Sequence, residues 1–225
     1  MTEKRTAIIT GGTRGFGRSL AESLAADGWR VLVDGRTPDS VPGAEVVPGD
    51  VTDADHRSRL VAAAGERLDL LVNNASTLGP TPLPPLAELP IDAIGETFRT
   101  NAGAPLALIQ AALPLLRATP DSAIVNVTSD AAVEAYEGWG IYGASKAALE
   151  HLGRVLAVEE PSVRVWTFDP GDMRTQMHQD AFPGEDISDR PLPEDLAVPA
   201  LRRLLDERPA SGRVRAGDVG AGVAA

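Results

Sequence analysis

Tyr142 and Lys146 stand four residues apart in "YGASKAALEHLGRVLAVEE", a segment whose apolar residues recur at helical spacing. On a helix, positions i and i+4 share one face, a turn apart. A phenol of pKa about 10 is a sluggish acid–base at neutral pH, and an ammonium fixed a few ångströms away favours the phenolate. The pairing points to a tyrosine whose proton is used and a lysine that lowers its pKa toward the working range. Ser129 closes the β-type run "AIVNVTS", which puts its hydroxyl at the edge where open α/β sheets bind ligands. From there it can donate to a substrate carbonyl.

A second group of residues has the means to hold an anion. "TGGTRGFG", residues 10–17, lies between a short apolar run and a helical pattern. Strand, glycine loop and helix form the context in which free N–H groups at a helix start meet a pyrophosphate. The candidates are Gly11, Thr13, Arg14, Gly15, Phe16 and Gly17. The spacing is not G-x-G-x-x-G, because Leu20 stands where the third small residue would be. Glycines allow close approach of backbone to a ligand, and a long side chain among them is compatible with that only if it points outward. Arg14 should therefore be reaching for something.

The elements that must position these groups alternate along the chain. Strands are expected at 7–10, 30–34, 45–50, 68–74, 123–129, 163–169 and 212–217, and helical periodicity fills 16–28, 53–68, 92–119, 142–160 and 193–208. Apolar strands separated by helices predict a single-domain α/β fold over 1–225. The sheet is Rossmann-type, doubly wound, mostly parallel and seven-stranded, with helices on both faces. The proline-dense segment 79–90 reads as a stiff loop. Residues 172–193 are polar, lack a clear period and serve as a substrate lid or a long connection. They lead into a helix begun by Pro193 and Glu194, and 218–225 form a small-residue tail whose order is not assumed.

Composition removes several function classes. Lys and Arg total 21 against 32 Asp and Glu, a net charge of −11, which speaks against a nucleic-acid surface or an anionic membrane. Any anion site must be local. Without cysteine there is no disulfide, thiol nucleophile or thiolate metal site. His56, His151 and His178 match no metal or triad spacing, so packing or surface roles are expected and no metal. The start is too short in apolar residues for a secretory signal, and the most apolar stretch is interrupted by Gln110 and Pro114. The chain reads as soluble and cytoplasmic.

The loop T-G-x-x-x-G-x-G resembles that of the short-chain dehydrogenase/reductase family, and more of that pattern follows in order. "GDV" occurs at 49–51, "NNA" at 73–75, Asn101 in "FRTNAG", Ser129 in "NVTS", "YGASK" at 142–146 and "PGDMRT" at 170–175. The resemblance implies that Tyr142 exchanges a proton with a carbonyl or alcohol oxygen while hydride passes to or from a nicotinamide. Ser129 assists, Lys146 also holds the nicotinamide ribose, and Asn101 anchors a water that relays protons to Lys146. "NAGAP" suits the local helix irregularity this role requires. Asp50 and Val51 would contact the adenine. Asn74 and Ala75 would line the cofactor cleft with Pro170, Gly171, Met173 and Thr175. At the end of the second strand Gly35 takes the family's acidic position, Arg36 follows it, and alternation turns Asp34 to the other face. Arg14 and Arg36 then flank a 2′-phosphate, which predicts NADP(H) over NAD(H).

Substrate would meet Leu78, Asp130, Tyr136, Trp139, Asp172 and Met177, an adaptable and partly aromatic surface. This reading gives an NADP(H)-dependent reductase or dehydrogenase of a small ketone, aldehyde or secondary alcohol, working as a homodimer or homotetramer by family likeness. Two alternatives stay open on the same residues. One is a non-redox enzyme of this fold that dehydrates, epimerises or cyclises, and the other is a non-catalytic NADP redox sensor.

Overall fold

The computed structural model describes residues 4–37 and 39–219. Seven strands, β1 (Thr6–Ile9), β2 (Arg30–Gly35), β3 (Ala44–Pro48), β4 (Leu70–Asn73), β5 (Ala123–Val127), β6 (Arg164–Asp169) and β7 (Gly212–Arg215), form one sheet in the order β3-β2-β1-β4-β5-β6-β7. Every neighbouring pair is parallel. The chain starts in the middle of the sheet, winds out to β3, returns past β1 to β4 and then runs to β7. The reversal between β1 and β4 opens a crevice at the carboxyl ends of the strands.

Strand alternation sorts the core into two layers. Ala7, Ile9, Val31, Val33, Leu70, Val72, Trp166 and Phe168 face one way. They meet Phe16, Leu20 and Leu24 of α1 (Gly15–Ala26) and Leu201 and Leu204 of α7 (Ala197–Glu207). Ile8, Leu32, Leu71, Ile124 and Val165 face the other way. They meet Leu60 of α2 (Ala54–Ala64), Leu108 and Leu116 of α4 (Ala104–Ala118) and Leu156 of α5 (Gly140–Glu159). Helices therefore cover both faces, and buried strands of this kind read as continuous apolar runs.

Several boundaries differ from the sequence expectation. The runs 45–50, 68–74, 123–129 and 212–217 contain shorter strands, because their last residues leave the sheet: Asp50, Asn74 and Ser129 turn into the crevice. The helical pattern 92–119 breaks into α3 (Asp92–Phe98), a π-turn over Arg99–Gly103 and α4. The expected irregularity thus falls on Asn101. The last helix does not begin at Pro193. Residues 193–196 form a turn in which the Pro193 carbonyl accepts from Val198 N at 2.9 Å, and α7 starts at Ala197. Within 172–193 a short helix, α6 (Gln176–Ala181), is capped by Thr175. Of the tail 218–225, Asp218 closes a 3₁₀ turn over Ala216–Asp218, and residues 220–225 lie outside the described residues.

Candidate active site

The crevice is a cleft of about 720 Å³ lined by every one of Gly11, Thr13, Arg14, Gly15 and Phe16, and by Arg36, Asp50, Val51, Asn74 and Ala75. Its other wall is built by Ser129, Tyr142, Lys146, Pro170, Gly171, Met173 and Thr175. Gly17 is not on the lining. It is buried in the first turn of α1, where a Cβ would lie 2.5 Å from Asn74 Nδ2. That close approach lets Asn74 donate to the carbonyls of Thr10 and Gly11 at 2.8 and 3.2 Å. The main-chain N–H groups of Asn74 and Ala75 both reach Thr10 Oγ1 at 3.0 Å. The glycine loop is thus pinned to the end of β4 before any ligand arrives. Thr10, the threonine that opens the T-G-x-x-x-G-x-G motif, carries this role, although it is not among the candidate site residues.

At the far end of the loop the local chemistry decides which charge is welcome. Asp34 is fully buried. One carboxylate oxygen accepts from Gly11 N at 2.6 Å and the other from His56 Nε2 at 3.1 Å, so each oxygen already has a partner within the protein. A Cβ at Gly35 would lie 2.4 Å from Thr13 Oγ1, which leaves no room for a side chain there, acidic or otherwise. The exposed Arg14 and Arg36 stand on this wall, and among the described residues neither forms an ion pair. Asp50 remains anionic beside them. Burial opposes its charge, but hydrogen bonds from the Thr52 N–H and hydroxyl, with Arg36 and His56 nearby, hold its carboxyl below the ordinary value.

At the other end, α5 is brought against the end of β5 by Gly143. A Cβ on that residue would sit 2.3 Å from the Ala131 carbonyl, so the glycine lets the first turn of α5 lie on the 3₁₀ turn Asp130–Ala132. This packing sets the buried Tyr142 beside Ser129. Ser129 donates to Asp130 Oδ1 at 2.9 Å and accepts from Ala131 N at 3.2 Å. Lys146 is buried too, its Nζ donating to the Val127 carbonyl at 2.9 Å and lying 5.6 Å from the centre of the Tyr142 ring. Burial lowers the lysine to about 8. For Tyr142 the expectation of a lowered pKa is reversed. Burial pushes the phenol up, with Asp169 and Asp130 adding to it, and the hydroxyls of Ser129 and Ser76 offset only part.

Asn101 does not touch the cleft. Its amide is wholly buried and fully engaged, donating to the Thr77 carbonyl at 2.8 Å and Ser145 Oγ at 2.9 Å and accepting from Thr77 N and Ser76 Oγ. It ties the π-turn to α5 and to the segment after β4.

Among the expected substrate contacts, Leu78, Asp130, Trp139, Asp172 and Met177 line the cleft. Trp139 meets Tyr142 edge-on at 5.5 Å and Phe182 at 5.8 Å. Tyr136 is the exception. It is 48% exposed, lies off the lining and donates its hydroxyl to Asp130 Oδ2 at 2.9 Å, because that short acid captures it on the outer surface. The segment from 172 to 193 folds back on itself. Asp172 lies 3.9 Å from His178 Nδ1 and 3.7 Å from Arg190 Nε, and Arg174 N donates to the Pro191 carbonyl. Burial keeps His178 below its ordinary pKa despite that acid. His56 packs inside and His151 is exposed. Among the described residues no cluster of His, Cys, Asp or Glu could hold a metal ion, and no helix is long and apolar enough to cross a membrane.

Comparison with known proteins gives the family to which this fold and sequence belong. Residues 5–186 match the family described as short chain dehydrogenase. Sepiapterin reductase of Rattus norvegicus is 34% identical over 197 residues, covering 76% of this chain and 75% of the relative. Benzil reductase, (S)-benzoin forming, of Saccharomyces cerevisiae is 34% identical over 219 residues, 89% of this chain and 81% of the relative. Among solved structures, a short chain dehydrogenase from Shigella flexneri 2a complexed with NADP superposes with a TM-score of 0.86 at 28% identity, covering 95% of this chain and 97% of that one. A counterpart from Escherichia coli CFT073 complexed with NADPH gives 0.86 at 28%, covering 94% and 96%. The chain belongs to the short-chain dehydrogenase/reductase family and is an oxidoreductase.

Proposed function

We propose that the protein is an NADPH-dependent carbonyl reductase whose substrates are small planar ketones, dicarbonyls or quinones. The observation that carries this reading is the buried phenol of Tyr142, held protonated at neutral pH within reach of Ser129, at one end of a cleft whose other end offers two uncommitted arginines. A phenol that keeps its proton is suited to giving it to a forming alkoxide, so reduction is the favoured direction. The pinned glycine loop, the space at Gly35 closed by Thr13 and the arginine pair fit a dinucleotide with a 2′-phosphate. The similar proteins crystallised with NADP and NADPH support the same choice. The aromatic wall of Trp139, backed by Phe182, together with Leu78 and Met177, supports a flat apolar substrate, as do relatives named for sepiapterin and benzil.

NADPH, when bound, supplies hydride. Arg14 and Arg36 would hold its 2′-phosphate, Asp50 and Val51 would flank the adenine, and the glycine loop with Asn74, Ala75, Pro170, Gly171, Met173 and Thr175 would line the rest of its site. Ser129 turns its hydroxyl from Asp130 to the substrate carbonyl oxygen and Tyr142 gives its proton to that oxygen. Lys146 places a positive charge behind the phenol and would hold a ribose hydroxyl. Because the Asn101 amide is already engaged, any water it anchors is held by its main-chain carbonyl in the π-turn. The enzyme works as a homodimer or homotetramer, supported by the apolar Val155 and Val158 exposed on α5, and a monomeric mass in solution would sink that part.

The test is loss of the reduced-nicotinamide absorbance with NADPH, and separately NADH, over a panel of ketones, aldehydes, quinones and dicarbonyls. Consumption confined to NADPH is expected. Tight NADPH binding with no consumption across the panel would favour the non-redox or sensor alternatives instead.

A further inference from the structure

Arg213, in the last strand and remote in sequence from every motif, reaches three elements of the site at once. Its Nε donates to Glu150 Oε1 at 3.0 Å, and its Nη2 donates to Asp169 Oδ2 at 2.9 Å and to the main-chain carbonyl of Ser129 at 3.3 Å. Each partner belongs to the cleft's frame. Glu150 lies on α5 one turn beyond Lys146 and two beyond Tyr142, so all three share a face. Its Oε1 also accepts from Thr128 Oγ1 at 2.7 Å, next to Ser129. Asp169 ends β6, lines the cleft and accepts from Gly171 N at 3.0 Å, which shapes the Pro170–Gly171 turn. The Glu150 and Asp169 side chains are only 7% and 3% exposed, and among the described residues the other cation that pairs with either is Arg215, 3.7 Å from Asp169. Buried carboxylates need such a cation, and a planar guanidinium can satisfy several acceptors in fixed directions where an ammonium cannot.

We propose that Arg213 is a positioning residue for the reaction, clamping the main chain of Ser129 to Glu150 on α5 and to Asp169 so that the serine hydroxyl meets Tyr142 and substrate in register. The inference rests on the serine and tyrosine roles given above. Arg213 touches neither substrate nor cofactor, and its effect passes through Ser129.

Arg213→Lys is the decisive variant, because it keeps the charge that the two carboxylates require but cannot span three acceptors. With the best-reduced carbonyl of the panel, kcat should fall by about ten- to a hundredfold, the cost of a slightly misplaced catalytic group. NADPH affinity, read by fluorescence, and the thermal midpoint should stay near wild type. In a Ser129→Ala background the same change should cost less than about threefold, since the group it positions is gone. Arg213→Lys with wild-type kcat, or with a full loss in the Ser129→Ala background, overturns the proposal. So does a parallel fall in kcat, NADPH affinity and thermal midpoint, which would mark a fold-wide role. Tyr142→Phe that retains turnover would instead overturn the tyrosine assignment, and the Ser129–Arg213 coupling would be scored independently of it.

Discussion

Tyr142 is one of two tyrosines in the chain, and the two differ by environment alone. One is buried in the cleft and the other is tied to Asp130 on the surface. Tyr142→Phe should lower turnover by about 10²- to 10⁴-fold, the usual contribution of a positioned acid, and leave NADPH affinity near wild type. The Phe ring keeps the edge contact with Trp139, so binding loss equal to the loss in rate would mean that the hydroxyl holds the cofactor and does not deliver a proton. Arg36→Ala should weaken NADPH by about ten- to a hundredfold, since a charged hydrogen bond is worth roughly 1.5–3 kcal/mol, while NADH binding changes little. Equal losses for both would remove the 2′-phosphate from Arg36. The residue types and order at Ser129, Tyr142 and Lys146 were legible in the sequence because the chemistry constrains spacing within one helix and one strand end. The direction of the Tyr142 shift was not, because it depends on how deeply β5, α5 and the segment after β4 bury the ring. Arg213 was invisible for a related reason: its three acceptors come from distant stretches of chain.

The end of β2 and the glycine loop after β1 act as one unit, joined by Asp34 to Gly11 N and by Gly35 against Thr13. That union predicts how cofactor preference will resist change. Gly35→Asp places an acid where NAD-binding sites of this fold hold a ribose hydroxyl, yet here it should weaken NADPH and NADH alike, because its Cβ would meet Thr13 and displace the loop. Combining it with Thr13→Gly opens the space, and the double variant should bind NADH more tightly than Gly35→Asp alone. If the single variant already binds NADH well, the close contact is not the obstacle. Strand and helix types were legible from periodicity, but Asp34, which alternation assigns to the other face, still borders the cleft, its carboxylate taken up by Gly11 N and His56. Boundaries were not, since Asp50, Asn74 and Ser129 look like strand residues and leave the sheet only because each has a partner in the crevice. The π-turn was legible in kind from Gly103 and Pro105 after Asn101. α6 was missed because its six residues lack the length for a period and are held by the Thr175 cap and by contacts of Asp172 with His178 and Arg190.

At the scale of the whole molecule, α5 packed on the end of β5 buries a charged amine at the cleft wall, and the fold bears that cost for the sake of the site. Lys146 falls to about 8 from a usual 10.5 because burial disfavours its ammonium. Below pH 8 both folded and unfolded chains hold the proton and the penalty, on the order of 3 kcal/mol for a shift of this size, is present in full. Between 8 and 10.5 the unfolded chain binds more protons than the folded one, so stability from this group rises with pH. Lys146→Met should therefore raise the thermal midpoint at pH 7 by about 5 °C while abolishing turnover, even though it gives up the bond to the Val127 carbonyl. The gain over wild type should shrink to less than half by pH 9.5. Tyr142, whose pKa is raised, works in the opposite sense only above its ordinary value of 10.0, so the comparison at 9.5 reads the lysine. Melting both proteins at pH 7 and 9.5 is sufficient. A variant less stable than wild type at pH 7, or a gain that does not change with pH, would mean that the buried ammonium is compensated and that the active site costs the fold nothing at this position.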